Sequence, residues 1–408
     1  MEQHRAVVVG AGIGGLAAAV ALHRRGWQVT VLERAADLTP VGAGIALAPN
    51  AQRALDVIGL GDRVRDLSAW QGDGGMRTPG GRWLARTDAE AAAGRFGGPL
   101  VLLHRATLVE ILTAALPEDA VRTGVSAAVT DPGDDHRPAR VTVTGADTAA
   151  GGELEAALVL GSDGIHSATR RTLFPGHPGP RYSGSTSWRV VVPAPARPFA
   201  PHETWGAGRL WGSQPLKDGR VYAYAMALAP AGAHAPDDEK AELLRLFGDW
   251  HHPVPEILAA VTPDRILRHD VHHLPDPLPA FHRGRVALLG DAAHAMMPSL
   301  GQGGNQAIED AVVLAHHAGD AAGFRPGRAL AAYTADRLPR TTAIVRRAAR
   351  TGAVTMLSAR PAVALRDAAV TAVSRFGPGL ALRGFDGICD WRPPVGEVPP
   401  AGRVIHPA

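Results

Sequence analysis

The chain has 408 residues, 46% of them hydrophobic and 20% charged, with a formal net charge of +3. That length supports two or three structural units around a large core, and no apolar stretch reaches the roughly 18 residues of a membrane span. Lys217 and Lys240 are the only lysines and Cys389 the only cysteine, which excludes a disulfide framework, a paired redox thiol and a Cys-rich zinc site.

The positive charge is carried by scattered arginines. No basic run is interleaved with aromatics, so nothing points to a nucleic-acid partner. The start, Met1-Glu2-Gln3-His4-Arg5, runs straight into an apolar strand without a secretory segment, and the expectation is a soluble, cytoplasmic protein, monomeric or homodimeric.

Taken in chain order, residues 6–9 read as a buried strand, followed by Gly10-Ala11-Gly12-Ile13-Gly14-Gly15. An Ala/Leu-rich helix covers 16–25, Gly26 stops it, and a second strand at 29–32 closes on Glu33. Strand, glycine turn, helix, strand and acid form a complete dinucleotide-binding unit. Gly10 allows the tight turn, Gly12 lets backbone approach a pyrophosphate, and Gly15 lets helix and strand pack closely. The helix N-terminus offers free N–H groups to phosphate. Glu33 can accept from both ribose hydroxyls and would repel a 2′-phosphate, so the tightly held nucleotide is not expected to be NADP.

Between residues 72 and 95 periodicity is lost. A strand is expected at 100–103 and a helix at 106–116, opened by Arg105, which by chemistry alone reads equally as a phosphate contact or a surface arginine. A strand at 157–160 ends at Gly161-Ser162-Asp163-Gly164, which alone reads as a turn. Three stretches of β character follow at 184–192, 204–211 and 220–228, separated by Gly, Pro and Asp clusters, and predict an antiparallel sheet. A helix is expected at 237–250, a buried strand at 286–289, helices over 305–353, and an irregular Pro-rich end from 391.

The richest stretch is Gly290-Asp291 through Gly301-Gln302-Gly303-Gly304-Asn305 to Asp310. Asp291 at a strand end can accept from ribityl hydroxyls. The glycines admit a flat ring, and the helix starting at Asn305 favours the negative charge a reduced isoalloxazine acquires.

Together, Gly10 to Gly15 with Glu33, Arg105, Ser162-Asp163-Gly164-Ile165-His166-Ser167 with Arg170, and Gly290 to Asp310 resemble the class A flavoprotein monooxygenases of the para-hydroxybenzoate hydroxylase fold. Tyr333, Arg337 and Pro339-Arg340 fit that family's next helix. The subgroup that is most similar contains salicylate and 3-hydroxybenzoate hydroxylases, urate hydroxylases and zeaxanthin epoxidases.

The resemblance implies an α/β fold: a Rossmann-type FAD-binding domain from 1–71, 98–178 and 270–330, an inserted antiparallel β-sheet substrate domain from 72–97 and 179–269, and a C-terminal helical segment, 331–408. It implies noncovalent FAD held by Gly10, Gly12, Gly15, Glu33, Arg34, Gly44, Arg105, Asp163, Asp291, Gly301, Gly303, Gly304 and Asn305. NAD(P)H visits, reduces the flavin and leaves; no second Gly-x-Gly-x-x-Gly exists to retain it. The implied reaction inserts one atom of O₂ into an aromatic or polycyclic small molecule through a flavin C4a-hydroperoxide, by hydroxylation or epoxidation, in secondary metabolism. Pro298 would offer its carbonyl beside the reacting oxygen. A reductase or oxidase of the same fold without oxygen insertion, or a non-catalytic flavin-binding module, are the alternatives. A halogenase is disfavoured by the absence of a Trp-x-Trp-x-Ile-Pro stretch.

Substrate choice is expected on the inserted sheet. With period two, Ser185, Ser187, Arg189 and Val191 share a face, as do Tyr222, Tyr224 and Met226. Related urate hydroxylases place an arginine where Leu210 stands here, with Arg209 pointing away, which argues for a more apolar substrate. Arg189 reads either as an anchor for a carboxylate or phenol, or as a sheet-edge arginine. Tyr222 and Tyr224 read either as substrate contacts or as core. Met297 completes the substrate set, and the catalytic set is Pro298, Tyr222 and Arg189. His251-His252 and His269 to His273 lack metal-ligand spacing.

Overall fold

The computed structural model describes residues 5–38, 43–67, 73–145, 152–375 and 382–394; most of the expected irregular end lies outside them. The nucleotide half is built on a six-stranded sheet in the order His282–Arg283, Val286–Leu288, Leu158–Gly161, Arg5–Val9, Gln28–Leu32, Val121–Arg122. All its pairings are parallel except the first. Its strands are apolar on both faces, as a sheet sandwiched between layers demands. Val7, Val8, Leu158, Val159 and Val286 are fully buried, and the helices Ile13–His23 and Gly303–Ala318 cover one side together. A three-stranded antiparallel sheet over residues 125–156, not anticipated from the sequence, packs on this half.

The inserted sheet has seven strands in the order Leu267–His273, Arg181–Pro193, Arg220–Leu228, Arg209–Pro215, His202–Trp205, Gly74–Arg77, Trp83–Thr87. Its ladder corrects two expectations. The stretch at 204–211 is not one strand but two, His202–Trp205 and Arg209–Pro215, folded back at Gly206-Ala207-Gly208, where Gly208 takes a φ of +65° that favours glycine. The return to the nucleotide half comes after His273, not at 270, because Leu267–His273 is hydrogen-bonded to Arg181–Arg189. The aperiodic region around residues 72–95 supplies the last two strands and the helix Ala89–Phe96, with Gly74–Arg77 pairing in parallel to His202–Trp205.

The outer face of this sheet, with Trp188, Val190, Trp211, Ala223 and Ala225, buries against the helices Glu239–Phe247 and Val254–Ala260. Its inner face turns towards the nucleotide half and meets Met296 and Met297 together with residues of the long helix Pro326–Thr355. Among the described residues, no helix is long and apolar enough to cross a membrane.

Candidate active site

One end of the cleft is shaped by glycine. Gly10 has a φ of +102°, and a Cβ there would lie 2.5 Å from the Ser162 carbonyl oxygen. On Gly15 a Cβ would meet the Gly10 carbonyl oxygen at 2.1 Å, so both positions are closed to side chains. Gly12 differs: nothing lies within 4 Å of where its Cβ would be. It faces open space at the N-terminus of the helix Ile13–His23, which has no side-chain cap and no acid in its first turn. Uncapped N–H groups aimed into a hollow bind anions. Glu33 borders the same hollow, accepting from the backbone N–H groups of Ala11 (2.8 Å) and Ala35 (2.9 Å). Arg34 is exposed beside it.

The other end lies after Val286–Leu288. Asp291 and Pro298 are exposed while Met296 and Met297 between them are buried. Gly301 has open space around it, and the nearest atom to a Cβ on Gly303 would be Asp291 Oδ1, 3.9 Å away. The helix Gly303–Ala318 begins here, also without a side-chain cap. Arg105, exposed at the start of the helix Arg105–Thr113, has Asp291, Arg189 and Tyr222 as its charged and polar neighbours. Burial lowers its pKa, the charge of Asp291 opposes that shift, and Arg189 reinforces it.

Several expected contact residues prove to be committed to the protein. The Asp163 carboxylate accepts from the Ser167 hydroxyl (2.5 Å) and from the Thr169 N–H and hydroxyl (3.0 Å each), tying down the start of the helix Ala168–Leu173. Arg170, 2% exposed, donates to the Ala292 and Ile165 carbonyls and links this turn to the Asp291 loop. Asn305 is fully buried; its Oδ1 accepts from the Ala48 N–H, and its Nδ2 donates to the Ala46 and Gly301 carbonyls. These hydrogen bonds set the backbone around the cleft.

Beneath that backbone lies a buried ionic network that sequence reasoning did not assemble. Asp310 accepts from the Gly290 N–H (2.8 Å), Arg337 Nε (2.7 Å) and His294 Nε2 (2.5 Å). Burial alone would push its carboxyl up, but His294 and Arg337 hold it down at about 2. Glu309 is gripped by Arg337, Arg340 and Asn50. The acidic pair at 309–310 opposite the arginines of the later helix was the available signal, at the right spacing for two charges on adjacent turns.

On the inserted sheet, register puts the expected substrate residues together. Arg189 pairs with Tyr224, Val191 with Tyr222 and Leu210 with Met226, all on the inner face. Leu210 packs with Met226, Met296 and Met297, against which Tyr224 and Trp205 also lie. Arg209 points to the outer face, its guanidinium 5.5 Å from the Trp250 ring centroid. Tyr222 lies over Gly44, where a Cβ would come within 2.4 Å of its ring. Burial raises the Tyr222 phenol, while the charge and hydrogen bond of Arg189, with the charge of Arg105, pull it down. Arg189, Tyr222, Arg105 and Asp291 thus converge where the sheet faces the cleft.

Open backbone at Gly12 and Gly301, acids at Glu33 and Asp291, a cationic Arg105 and two uncapped helix N-termini form the donor and acceptor set that FAD requires. Residues 3–348 match the family described as FAD binding domain. The chain belongs to the class A flavoprotein monooxygenases. It is 37% identical to a 3-amino-4-hydroxybenzoate 2-monooxygenase of Streptomyces platensis over 94% of this chain and 96% of that protein. It is 33% identical to an FAD-dependent urate hydroxylase of Klebsiella pneumoniae, covering 84% of this chain and 88% of the relative. The crystal structure of Klebsiella pneumoniae HpxO with FAD and uric acid superposes with a TM-score of 0.82 at 29% identity, over 95% of this chain and 96% of that one. The protein is therefore an FAD-dependent monooxygenase with NAD(P)H as its cosubstrate. Its FAD would be held by the glycine turn, Glu33, Arg105, Asp291 and the loop before Gly303–Ala318.

Proposed function

We propose that this monooxygenase hydroxylates an aromatic small molecule held between the flavin site and the inner face of the inserted sheet. The observation that carries the reading is the convergence of Arg189, Tyr222 and Arg105 at a wall otherwise made of Leu210, Met226 and Met297. Apolar walls with a few convergent polar groups suit a flat ring bearing one anionic or phenolic group. When bound, FAD supplies the redox chemistry that takes electrons from NAD(P)H and delivers one atom of O₂. Arg189 and Tyr222 orient the substrate and favour its oxygen-bearing, electron-rich form. The Pro298 carbonyl accepts from the Gly301 N–H at the exposed turn after Met297, and its second lone pair would be available to the bound cofactor or substrate. Met296, Met297 and Leu300 exclude water. Leu210 keeps this stretch of the wall apolar, which directs the site towards less polar substrates.

The experiment is substrate-dependent NAD(P)H oxidation by the FAD-loaded protein across a panel of phenols, hydroxybenzoates and bicyclic aromatics, with product analysis. At least one class should raise the oxidation rate and yield a product heavier by one oxygen. Flavin that NAD(P)H never reduces, with any of these ligands, contradicts the proposal.

A further inference from the structure

The inner face of the sheet carries a second polar group with an unusual setting. Glu203, on His202–Trp205, is half-buried and lies on the inner face of the sheet, opposite Gly212. Its carboxyl accepts from the Tyr224 hydroxyl (3.0 Å) and from the Trp205 indole N–H. Among the described residues no cationic side chain forms an ion pair with it. Two neutral donors leave acceptor positions free on a carboxyl group. Burial pushes that carboxyl up, and burial, then the neighbouring Glu203, pushes the Tyr224 phenol up. An acid held among aromatic neighbours without a counter-ion is a costly arrangement that packing alone does not explain.

The surroundings are shaped to hold it. Arg189 pairs with Tyr224, Tyr224 with Gly212, and Gly212 with Glu203, so the four residues form one row across four strands. A Cβ on Gly212 would lie 2.1 Å from the Tyr224 ring. Only a glycine there lets the ring lie across its own row and reach Glu203. The row spans three strand spacings, about 14 Å between its ends. One end is cationic, the other acidic, and Tyr224 with its neighbours Trp205 and Leu210 lies between.

We propose that Glu203 is a specificity-determining residue, the acidic end of a bipolar pocket that selects bicyclic or larger aromatic molecules with an anionic or oxyanion group at the Arg189 end and a hydrogen-bond donor, an amine, ring N–H or hydroxyl, at the other. This rests on the proposed placement of the substrate against the inner face, and adds length and polarity to it. A single short ring cannot engage both ends at once.

The test is equilibrium binding to the FAD-loaded protein, read from perturbation of the flavin absorbance, so no turnover is required. The probes are 6-amino-2-naphthoate, 6-methyl-2-naphthoate and naphthalene-2,6-dicarboxylate. The amino probe should bind on the order of tenfold to a hundredfold tighter than the methyl probe, the range of a hydrogen bond to a charged group, and the dicarboxylate weakest. Glu203→Gln should narrow the gap and admit the dicarboxylate; Glu203→Leu should reverse the amino and methyl order. Equal binding of amino and methyl probes by the unsubstituted protein overturns the proposal, as does absence of amino-probe binding in the millimolar range. Uniform weakening of all three in both variants also overturns it, because Glu203 would then only be holding Tyr224. Each of these outcomes is separate from the NAD(P)H test, which the protein can pass while failing this one.

Discussion

The two walls of the cleft handle polar groups in opposite ways. On the nucleotide wall, Asp163, Asn305, Glu309, Asp310 and Arg337 are buried or half-buried, and each is tied to several protein partners. On the sheet wall, Glu203, Tyr224 and Arg189 keep accessible surface, and among the described residues no ion pair involves Glu203 or Arg189. The first wall is finished before any ligand arrives, which suits a cofactor whose geometry must not vary. The second is completed by what binds to it, which suits a family that changes substrates on a constant oxygenating site.

Breaking the finished wall should have the largest effect. Arg337→Ala leaves Glu309 and Asp310 buried without the counter-ion they share. A loss of about 3–5 kcal/mol is expected in urea unfolding, and a cost below about 1 kcal/mol would mean the network is not holding that wall. Gly12→Ala probes the same wall without strain on the apo fold, since nothing lies within 4 Å of the added Cβ. FAD affinity should fall on the order of a hundredfold, about 3 kcal/mol, with the apo unfolding midpoint nearly unchanged; a matching loss of apo stability would show that the space is not reserved for phosphate.

Acid offers a milder test. Asp310 is held down to about 2 from an ordinary 3.8. A depressed carboxyl stabilises the fold above its unfolded value and loses that contribution as pH falls through the folded one. On the order of 2 kcal/mol should therefore disappear between about pH 4 and about pH 2. Asp310→Asn should flatten that part of the pH–stability curve; an unchanged curve would assign the acid sensitivity elsewhere.

The smallest effect tests the register of the sheet. Arg209→Ala removes a guanidinium that packs on Trp250 and donates to the Leu246 carbonyl, both away from the cleft. Less than about 1 kcal/mol should be lost, with no change in which aromatics stimulate NAD(P)H oxidation. A changed substrate preference would mean that Arg209, not Leu210, faces the flavin.

The nucleotide wall was legible in the sequence wherever backbone geometry dictates the residue. Gly10 and Gly15 sit where any side chain would collide, and such positions can be read from spacing alone. Leu210 and Tyr222 were legible because period two assigns faces once a strand is recognised. Asp163 and Asn305 show the limit: residue type and place were visible, but nothing in the sequence says whether a carboxylate turns towards a ligand or towards the next helix. Glu203 was missed for a different reason. Its row exists only across strands, and reading 204–211 as one strand concealed the turn at Gly206 to Gly208 that brings Glu203 opposite Gly212. Two β-rich runs split by Gly-Ala-Gly were the overlooked hairpin signal.

The central claim is that the finished wall delivers an atom of O₂ to an aromatic molecule lying on the open one. The most direct measurement is turnover under ¹⁸O₂ with the aromatic that most stimulates NAD(P)H oxidation, with mass analysis of the product. One ¹⁸O atom per product molecule is the expected result. Product formed without ¹⁸O, or carrying oxygen taken from water, would contradict the claim and reassign the protein to oxidation or reduction without oxygen insertion.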